Sequence, residues 1–486
     1  MYSIDDYNET IGQFYSQNQD LLKYSPTFCR CEGQTSNYLT YVGLKKKSPN
    51  NYLKLISVFV LKIIRDFSYI FLSKKAPLKN LNSKSKIVFS FFDERSIKDG
   101  ILNDDYFRDI LLGETDIVCI YKLINPKFFR GVSYIRLINK TKKRYLAFSE
   151  HSFITFFSIL KAFFYSYIYF IKLISLKKNF EVDKVLKEIL FKEAFREIFD
   201  GTIYQGYLQD ISSKRILTKN PMMILSVWEN HPWNRILESN KKKFSQQTFS
   251  KGFQHTGFNK KLLQHYPSSL EQNLSSYPDQ IICNGFINQK ELSKNIKNTD
   301  ILVGSALRQN HLYLKKITKP KALSSGDIKN IAFAFSWDES NYYKILEELK
   351  KVPKQINIFL KFHPMYPNWI LKKDFPQNFV NTTMPWEEIA KTCPLILVND
   401  NSLMFEAFFL GAHSVVYEDK NIPELELRDF ESPILHITGE SLEKINSKYF
   451  IEAINNSTIS VFEQKYLEKY FVKKDLDEEK LIFLSF

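Results

Sequence analysis

Short apolar runs alternate along this chain with longer stretches whose apolar positions recur every third or fourth residue. The first pattern suits strands buried on both faces, and the second suits amphipathic helices. KIVFSFF (Lys86–Phe92) predicts a strand, followed by the polar DERS and a helical pattern. DIVCIYKL, starting at Asp116, predicts another, and Met222–Trp228 a third that leads into a helix. A long helical region runs from Ser152 to Phe199. FSKGFQHTGF and DQIICNGF each read as a short apolar strand followed by a polar loop. The alternation restarts at Asn330 with NIAFAFSW, ESNYYKILEELKKV, INIFLKF, NFVNTT, PWEEIAKT, LILVND, SLMFEAFFLG and HSVVYED. The Lys- and Ser-rich stretch Leu307–Asn330 reads as a linker between the two series.

Strands alternating with helices predict parallel sheets. The expected class is α/β, with two Rossmann-like doubly wound domains facing a cleft and an extra N-terminal helical segment. The expected boundaries are 1–80 for that segment, 81–310 and 325–440 for the two domains, and 441–486 for a helical tail.

Two apolar stretches invite comparison with membrane spans: Tyr52–Leu72 and Ser152–Lys178. Lys54, Lys62, Arg65 and Asp66 interrupt the first, and Lys161 and Lys172 the second. A central lysine costs roughly 2.5–3.5 kcal/mol on insertion scales. Both are therefore read as amphipathic or buried helices, whose basic, aromatic faces could also rest on an inner membrane leaflet. The net charge of +15 suits nucleic acid, anionic lipid or a phosphorylated substrate. The Lys and Arg residues are dispersed and no RNA-binding motif occurs, so nucleic acid is not expected as a partner. Five cysteines, with only Cys29 and Cys31 close together, fit neither a zinc site nor a disulfide framework. The polar, acidic start MYSIDDYNETIGQF is not a signal peptide. A reducing, cytoplasmic location is expected, peripheral at the inner face of the membrane.

Chemistry concentrates at predicted strand ends, where open α/β sheets bind ligands. INIFLKF ends in Lys361, then His363 and Pro364. The proline stops the ladder and holds His363 extended, and the two basic groups can meet a phosphate. LILVNDNSLMFEAFFLG ends a strand at Asn399; Asp400, Asn401 or Ser402 can cap the next helix, Glu406 lies one turn inside, and Gly411 ends it. The helix N–H groups are a further phosphate site. The plainer reading of both is a strand stop and a helix cap.

Together these motifs resemble the donor-nucleotide half of GT-B-fold glycosyltransferases that use CMP-activated acids, the bacterial sialyltransferases and Kdo transferases. The resemblance maps the histidine–proline motif onto His363 and Pro364 and the serine motif onto Ser402, and implies that they hold the CMP phosphate. Teichoic-acid-type polymerases using CDP-linked alditols share a similar pair and an upstream histidine element. VWENHPWNR (Val227–Arg235) and GFQHTGF (Gly252–Phe258) also resemble the ENQPWE and G-QH pattern of bacterial surface-carbohydrate biosynthesis proteins. Here His231 and Asn234 stand where that pattern has Gln and Glu. Glu229, after a buried strand, is a candidate general base or covalent nucleophile, and His255 a donor to acceptor or leaving phosphate. Helix capping by Glu229 and a structural His255 are the plainer alternatives. Asp93, Glu94 and His231 are secondary candidates. No metal motif, P-loop or dinucleotide fingerprint occurs, so neither metal nor cofactor is expected beyond a nucleotide-sugar substrate.

The leading expectation is a glycosyltransferase acting on a surface polysaccharide or lipid-linked glycan such as lipopolysaccharide, with a sialic- or Kdo-type acid from a CMP donor. A CDP-alditol glycerophosphotransferase is the alternative. A non-catalytic membrane- or nucleic-acid-binding protein is the alternative of another class.

Overall fold

The computed structural model describes the protein at all positions except 1–3, 32–50, 77, 79–80, 93–95, 99, 124–127, 144, 256–265, 269, 272–273, 275, 310–318, 327, 337–341, 364–375, 400–402, 419–432 and 486. Strands covered on both faces must be apolar on both faces, and the apolar runs form them. In chain order the first ten are β1 (Lys86–Phe92), β2 (Ile97–Lys98), β3 (Ile101–Leu102), β4 (Ile117–Leu123), β5 (Lys142–Lys143), β6 (Leu146–Ser149), β7 (Met223–Val227), β8 (Phe249–Gln254), β9 (Gln280–Cys283) and β10 (Asp300–Val303). Seven make one parallel sheet in the order β10-β9-β8-β7-β1-β4-β6; β2, β3 and β5 form a small ribbon. The chain winds outward from β1 to β6, returns to place β7 beside β1, and winds outward again to β10. The reversal between β1 and β7 is the topological switch point of a doubly wound sheet.

The second sheet repeats the plan with β11 (Asn330–Ala334), β12 (Asn357–Lys361), β13 (Phe379–Asn381), β14 (Leu395–Val398), β15 (His413–Tyr417) and β16 (Leu435–Ile437). Its order is β13-β12-β11-β14-β15-β16, again parallel, with the reversal between β11 and β14. The architecture is thus α/β with two Rossmann-like sheets. The sheets belong to two compact units, the first containing 1–255, 261–308 and 474–486, the second containing 309–473.

The last helix, Leu476–Leu484, completes the first unit. Phe483 is buried against Phe253, with ring centroids 5.2 Å apart. Lys251 Nζ donates to Ile482 O at 2.5 Å, and Lys480 Nζ to Leu112 O at 2.9 Å. Gly304 admits this packing: a Cβ there would lie 2.5 Å from Ile282 Cγ2 and 3.0 Å from Phe483 Cε2.

The N-terminal residues also enter the interior of this unit. Ser25 caps the short helix Pro26–Cys29, and Arg30 follows in the left-handed region at φ 57°. Arg30, Arg235 and Glu271 are all fully buried. Arg30 Nη2 pairs with Glu271 Oε2, and Arg235 Nη1 with Glu271 Oε1 at 3.1 Å. Three further donors meet backbone oxygens: Arg30 Nη1 on Asn8, Arg235 Nη2 on Cys29 and Arg235 Nε on Asn230. The Arg235 guanidinium also lies 4.5 Å from the Tyr15 ring centroid. Burial alone would raise the Glu271 carboxyl, but the two guanidiniums hold it below its ordinary value.

Removing one member of such a cluster strands buried charge, which typically costs about 3–5 kcal/mol. Glu271→Gln is expected to lower the urea midpoint of the full chain by a corresponding amount, followed by circular dichroism. A midpoint within error of wild type would show that the triad does not hold this unit together.

Candidate functional site

The site in the first unit lies at the carboxyl ends of β7 and β8. Backbone pairing carries the two strands past their last ladder residues, with Trp228 N donating to Phe253 O at 2.8 Å. Gly252 allows that approach, since a Cβ there would lie 2.8 Å from Trp228 Cβ. Beyond Trp228 the chain turns sharply through Asn230, a non-glycine residue at φ 53°. Such a conformation needs support from its surroundings. Arg235 supplies some of it by donating to Asn230 O. Asn234 supplies more: Oδ1 accepts from Glu229 N at 3.3 Å and His231 N at 3.2 Å, while Nδ2 donates to Val227 O at 2.9 Å.

This explains the asparagine at 234. An amide can accept two N–H bonds and donate one in the same buried place, which a carboxylate cannot. Asn234 is thus a positioning residue for the turn. Pro232 begins the following helix, Pro232–Phe244, where a missing N–H is harmless.

The turn brings three candidates together. His231 Nε2 lies 3.2 Å from Glu229 Oε2, and His255 Nε2 lies 3.4 Å from Glu229 Oε1. Glu229 is 20% exposed and His255 only 4%. Burial opposes a charged His231, but the Cys31 sulfur and the Glu229 carboxylate outweigh it and hold its pKa well above 6.5. His231 is therefore a charge partner for the Glu229 carboxylate. His255 is fixed from two sides: Asn284 Nδ2 donates to its carbonyl at 2.9 Å, and Tyr106 meets its ring edge-on at 4.8 Å.

Tyr106, Cys31, Asn284 and Asp104 are part of this environment and were not singled out as site residues from the sequence. Asp104 Oδ1 accepts from Tyr106 N and Phe107 N, both at 2.8 Å, making the turn that carries Tyr106. This turn leads into the 3-10 helix Arg108–Leu111. Asp93 and Glu94, which follow β1, lie outside the described residues.

In the second unit Lys361 ends β12 and Asn399 follows β14, on the two strands that flank β11. Lys361 Nζ donates to Met384 O and lies 4.9 Å from the Trp386 ring centroid. Burial lowers its pKa, with Glu387 opposing. His363 is half-buried just past the strand end. Asn399 N donates to Ala334 O at 3.2 Å and its Nδ2 to Tyr417 O at 3.3 Å, tying β14 to both neighbours. Glu406 lies within the short helix Leu403–Phe409, which Gly411 ends at φ 81°. Pro364, Asn401 and Ser402 lie outside the described residues. Among the described residues, no group of three His, Cys, Asp or Glu side chains is placed to hold a metal ion.

Burial raises the Asp104 carboxyl from 3.8 to about 6, against hydrogen bonds that favour its charged form. The folded state thus prefers the proton. Its contribution to stability is fully present below pH 3.8 and lost as pH rises through about 6. A shift of that size corresponds to roughly 3 kcal/mol. Asp104→Asn, which keeps the accepting oxygen, is expected to match wild type near the bottom of this window and exceed it at pH 8. Equal stabilities across the range, from urea titrations, would refute a raised pKa.

No family model matches the chain, and no curated protein is similar to it in sequence. Among solved structures, Anabaena Alr3699/HepE in complex with UDP-glucose superposes with a TM-score of 0.41 at 10% identity, over 82% of this chain and 98% of that one. S. aureus MnaA with UDP gives 0.41 at 10% identity, over 81% and 99%. A variant of the wall teichoic acid polymerase TagF gives 0.38 at 11%, over 88% and 94%. Scores of this size describe a similar chain path, and the architecture stated above rests on the strand orders themselves.

Proposed function

We propose that the chain is a glycosyltransferase that moves a sugar from a nucleotide-linked donor to a hydroxyl of a glycan acceptor. The observation that carries this reading is the Glu229 carboxylate at the switch point of the first sheet, contacted by His231 at 3.2 Å and His255 at 3.4 Å. Glu229, the more exposed partner of the buried His255, would accept the hydroxyl proton as the acceptor oxygen attacks the anomeric carbon. The bond from that carbon to the donor phosphate breaks, and the nucleotide leaves with the electron pair.

In this reading the nucleotide phosphate is held by the second unit, at Lys361, His363 and the segment containing Ser402. The sequence likeness to CMP-dependent transferases supports CMP as the nucleotide and a sialic- or Kdo-type acid as the sugar. The His255–Thr256 dipeptide favours a second reading, an alditol phosphate from a CDP donor, because the polymerases that do this carry an upstream histidine element.

CMP or CDP is expected to stabilise the chain by about 2.7 kcal/mol at a ligand concentration 100-fold above Kd. His363→Ala should weaken the effect. Stabilisation by UDP or GDP with none by CMP or CDP would refute the cytidine reading.

Glu229→Gln keeps the size of the side chain while removing its basicity. It is expected to lower turnover by about 10²–10⁴ while nucleotide affinity stays unchanged on the same preparation. Near-normal turnover would reduce Glu229 to a structural role.

A further inference from the structure

Two long helices of the first unit carry far more apolar surface than a water-facing pair needs. They are Tyr52–Leu72 and Phe156–Asn179. They run antiparallel side by side, with Phe59 against Phe163 at 6.0 Å and Phe67 against Phe156 at 5.1 Å. Each has a buried face and an open one. On the second helix Ser158, Ile159, Ala162, Ser166, Tyr169 and Leu173 turn inward. On the open faces Leu53, Phe71 and Phe157 are 80%, 84% and 77% exposed, and Leu61, Ile64 and Phe164 are 50% or more exposed.

The exposed positions follow helical spacing. Leu53, Val60, Ile64 and Phe71 form one stripe, and Leu160, Phe164, Tyr167, Ile171 and Ile174 the other. Contiguous exposed apolar surface of this kind marks an interaction face.

The charges flanking the stripes identify the occupant. The first helix contains Lys54, Lys62 and Arg65, and the second Lys161, Lys172, Lys177 and Lys178. The only acidic residue in either is Asp66, which is buried between Arg65 and His151. Lys161 and Lys172, three turns apart, line one edge of the second stripe, and Lys54, Lys161, Lys172 and Lys178 are exposed. A second copy of the chain would set this basic surface against itself.

We infer that this helix pair docks in the plane of an anionic lipid bilayer, with the two stripes in the acyl boundary and the lysines among the headgroups. The helix Phe156–Asn179 is long and apolar enough to cross a membrane by length and composition, its most apolar 18-residue stretch having a mean hydropathy of 1.5. Its inward face is nevertheless committed to the protein: Ala162 and Ile159 share a cluster with Tyr204 and Leu208. A helix packed along one side lies in the interface rather than across it. The inference stands apart from the transferase reading, since none of its residues belongs to the candidate site.

The test is flotation of the full chain with vesicles of phosphatidylcholine, with and without phosphatidylglycerol. Wild type should float with the anionic vesicles and be released by salt. Leu61→Glu combined with Phe164→Glu should lower the bound fraction about tenfold or more. Lys161→Ser combined with Lys172→Ser should lower it about fivefold per lysine removed. Thermal unfolding of each variant checks the fold, and the lysine pair, being exposed, keeps the test decisive should the glutamates perturb it. Failure of wild type to float, equal flotation with neutral vesicles, or unchanged flotation of the folded variants overturns the inference. So does a wild-type dimer that Leu61→Glu and Phe164→Glu convert to monomer without any lipid binding. Loss of turnover in Glu229→Gln, or of nucleotide binding in His363→Ala, would leave flotation untouched, so the two readings fail separately.

Discussion

One buried carboxylate, Glu271, holds two buried guanidiniums, and the first unit is assembled around it. Neither arginine can shed its charge, because a guanidinium is not deprotonated in proteins. Each must therefore keep its partners wherever it is buried. Arg30 comes from the N-terminal helices, Arg235 from the helix after β7, and Glu271 from the segment between β8 and β9. Three stretches remote in sequence are thus fixed to one another by an electrostatic condition. The net positive charge left over is spread over the Tyr15 ring and the carbonyls of Asn8, Cys29 and Asn230.

The last of those carbonyls links stability to the site. Asn230 takes a backbone conformation that costs free energy for a residue with a Cβ. It is held there because its oxygen satisfies Arg235, while Asn234 ties down the amides on either side. Glu229 and His231 consequently face one another across a turn that neither would adopt unaided. Their pairing then feeds back on chemistry. The raised pKa of His231 makes it a charge partner for the Glu229 carboxylate, which also contacts His255. The winding of the sheet supplies the remainder, since β7 lies beside β1 at the reversal, where doubly wound sheets place their ligand crevice.

Much of the sheet architecture was legible because continuous apolar runs such as Lys86–Phe92, Leu395–Val398 and His413–Tyr417 can only be strands covered on both faces. The short strands β6, β10 and β16 were missed, though β9, β13 and β14, which are no longer, were legible. The helix Ile4–Gln17 was read only as a polar start, yet Tyr7, Ile11 and Tyr15 are fully buried. Its anchoring through Arg30 depends on Glu271, which no local pattern reveals. In the same way, Leu476–Leu484 continues a helical tail in sequence but joins the first unit in space. At the site, Glu229, His231 and His255 were legible as polar residues following strands. Their mutual contact depends on the left-handed turn at Asn230 and on β8 lying beside β7, and Tyr106 reaches His255 only through the turn that Asp104 makes.

Lys361 shows how a strand-end motif divides its labour once packed. Its ammonium sits on the Met384 carbonyl and beside the Trp386 ring, which binds β12 to the helix Trp386–Thr392. That position partly desolvates the charge and lowers its pKa, though two of its three donors remain for another acceptor. A phosphate approaching this edge would gain most from a cation already ordered there, because no rotamer freedom is left to lose on binding. His363 lies two residues beyond the strand and is half-buried. The strand stop thus sets an ordered cation at the end of β12 and an imidazole two residues beyond it, where a strand stop made of two lysines would offer two ammonium groups and no planar ring.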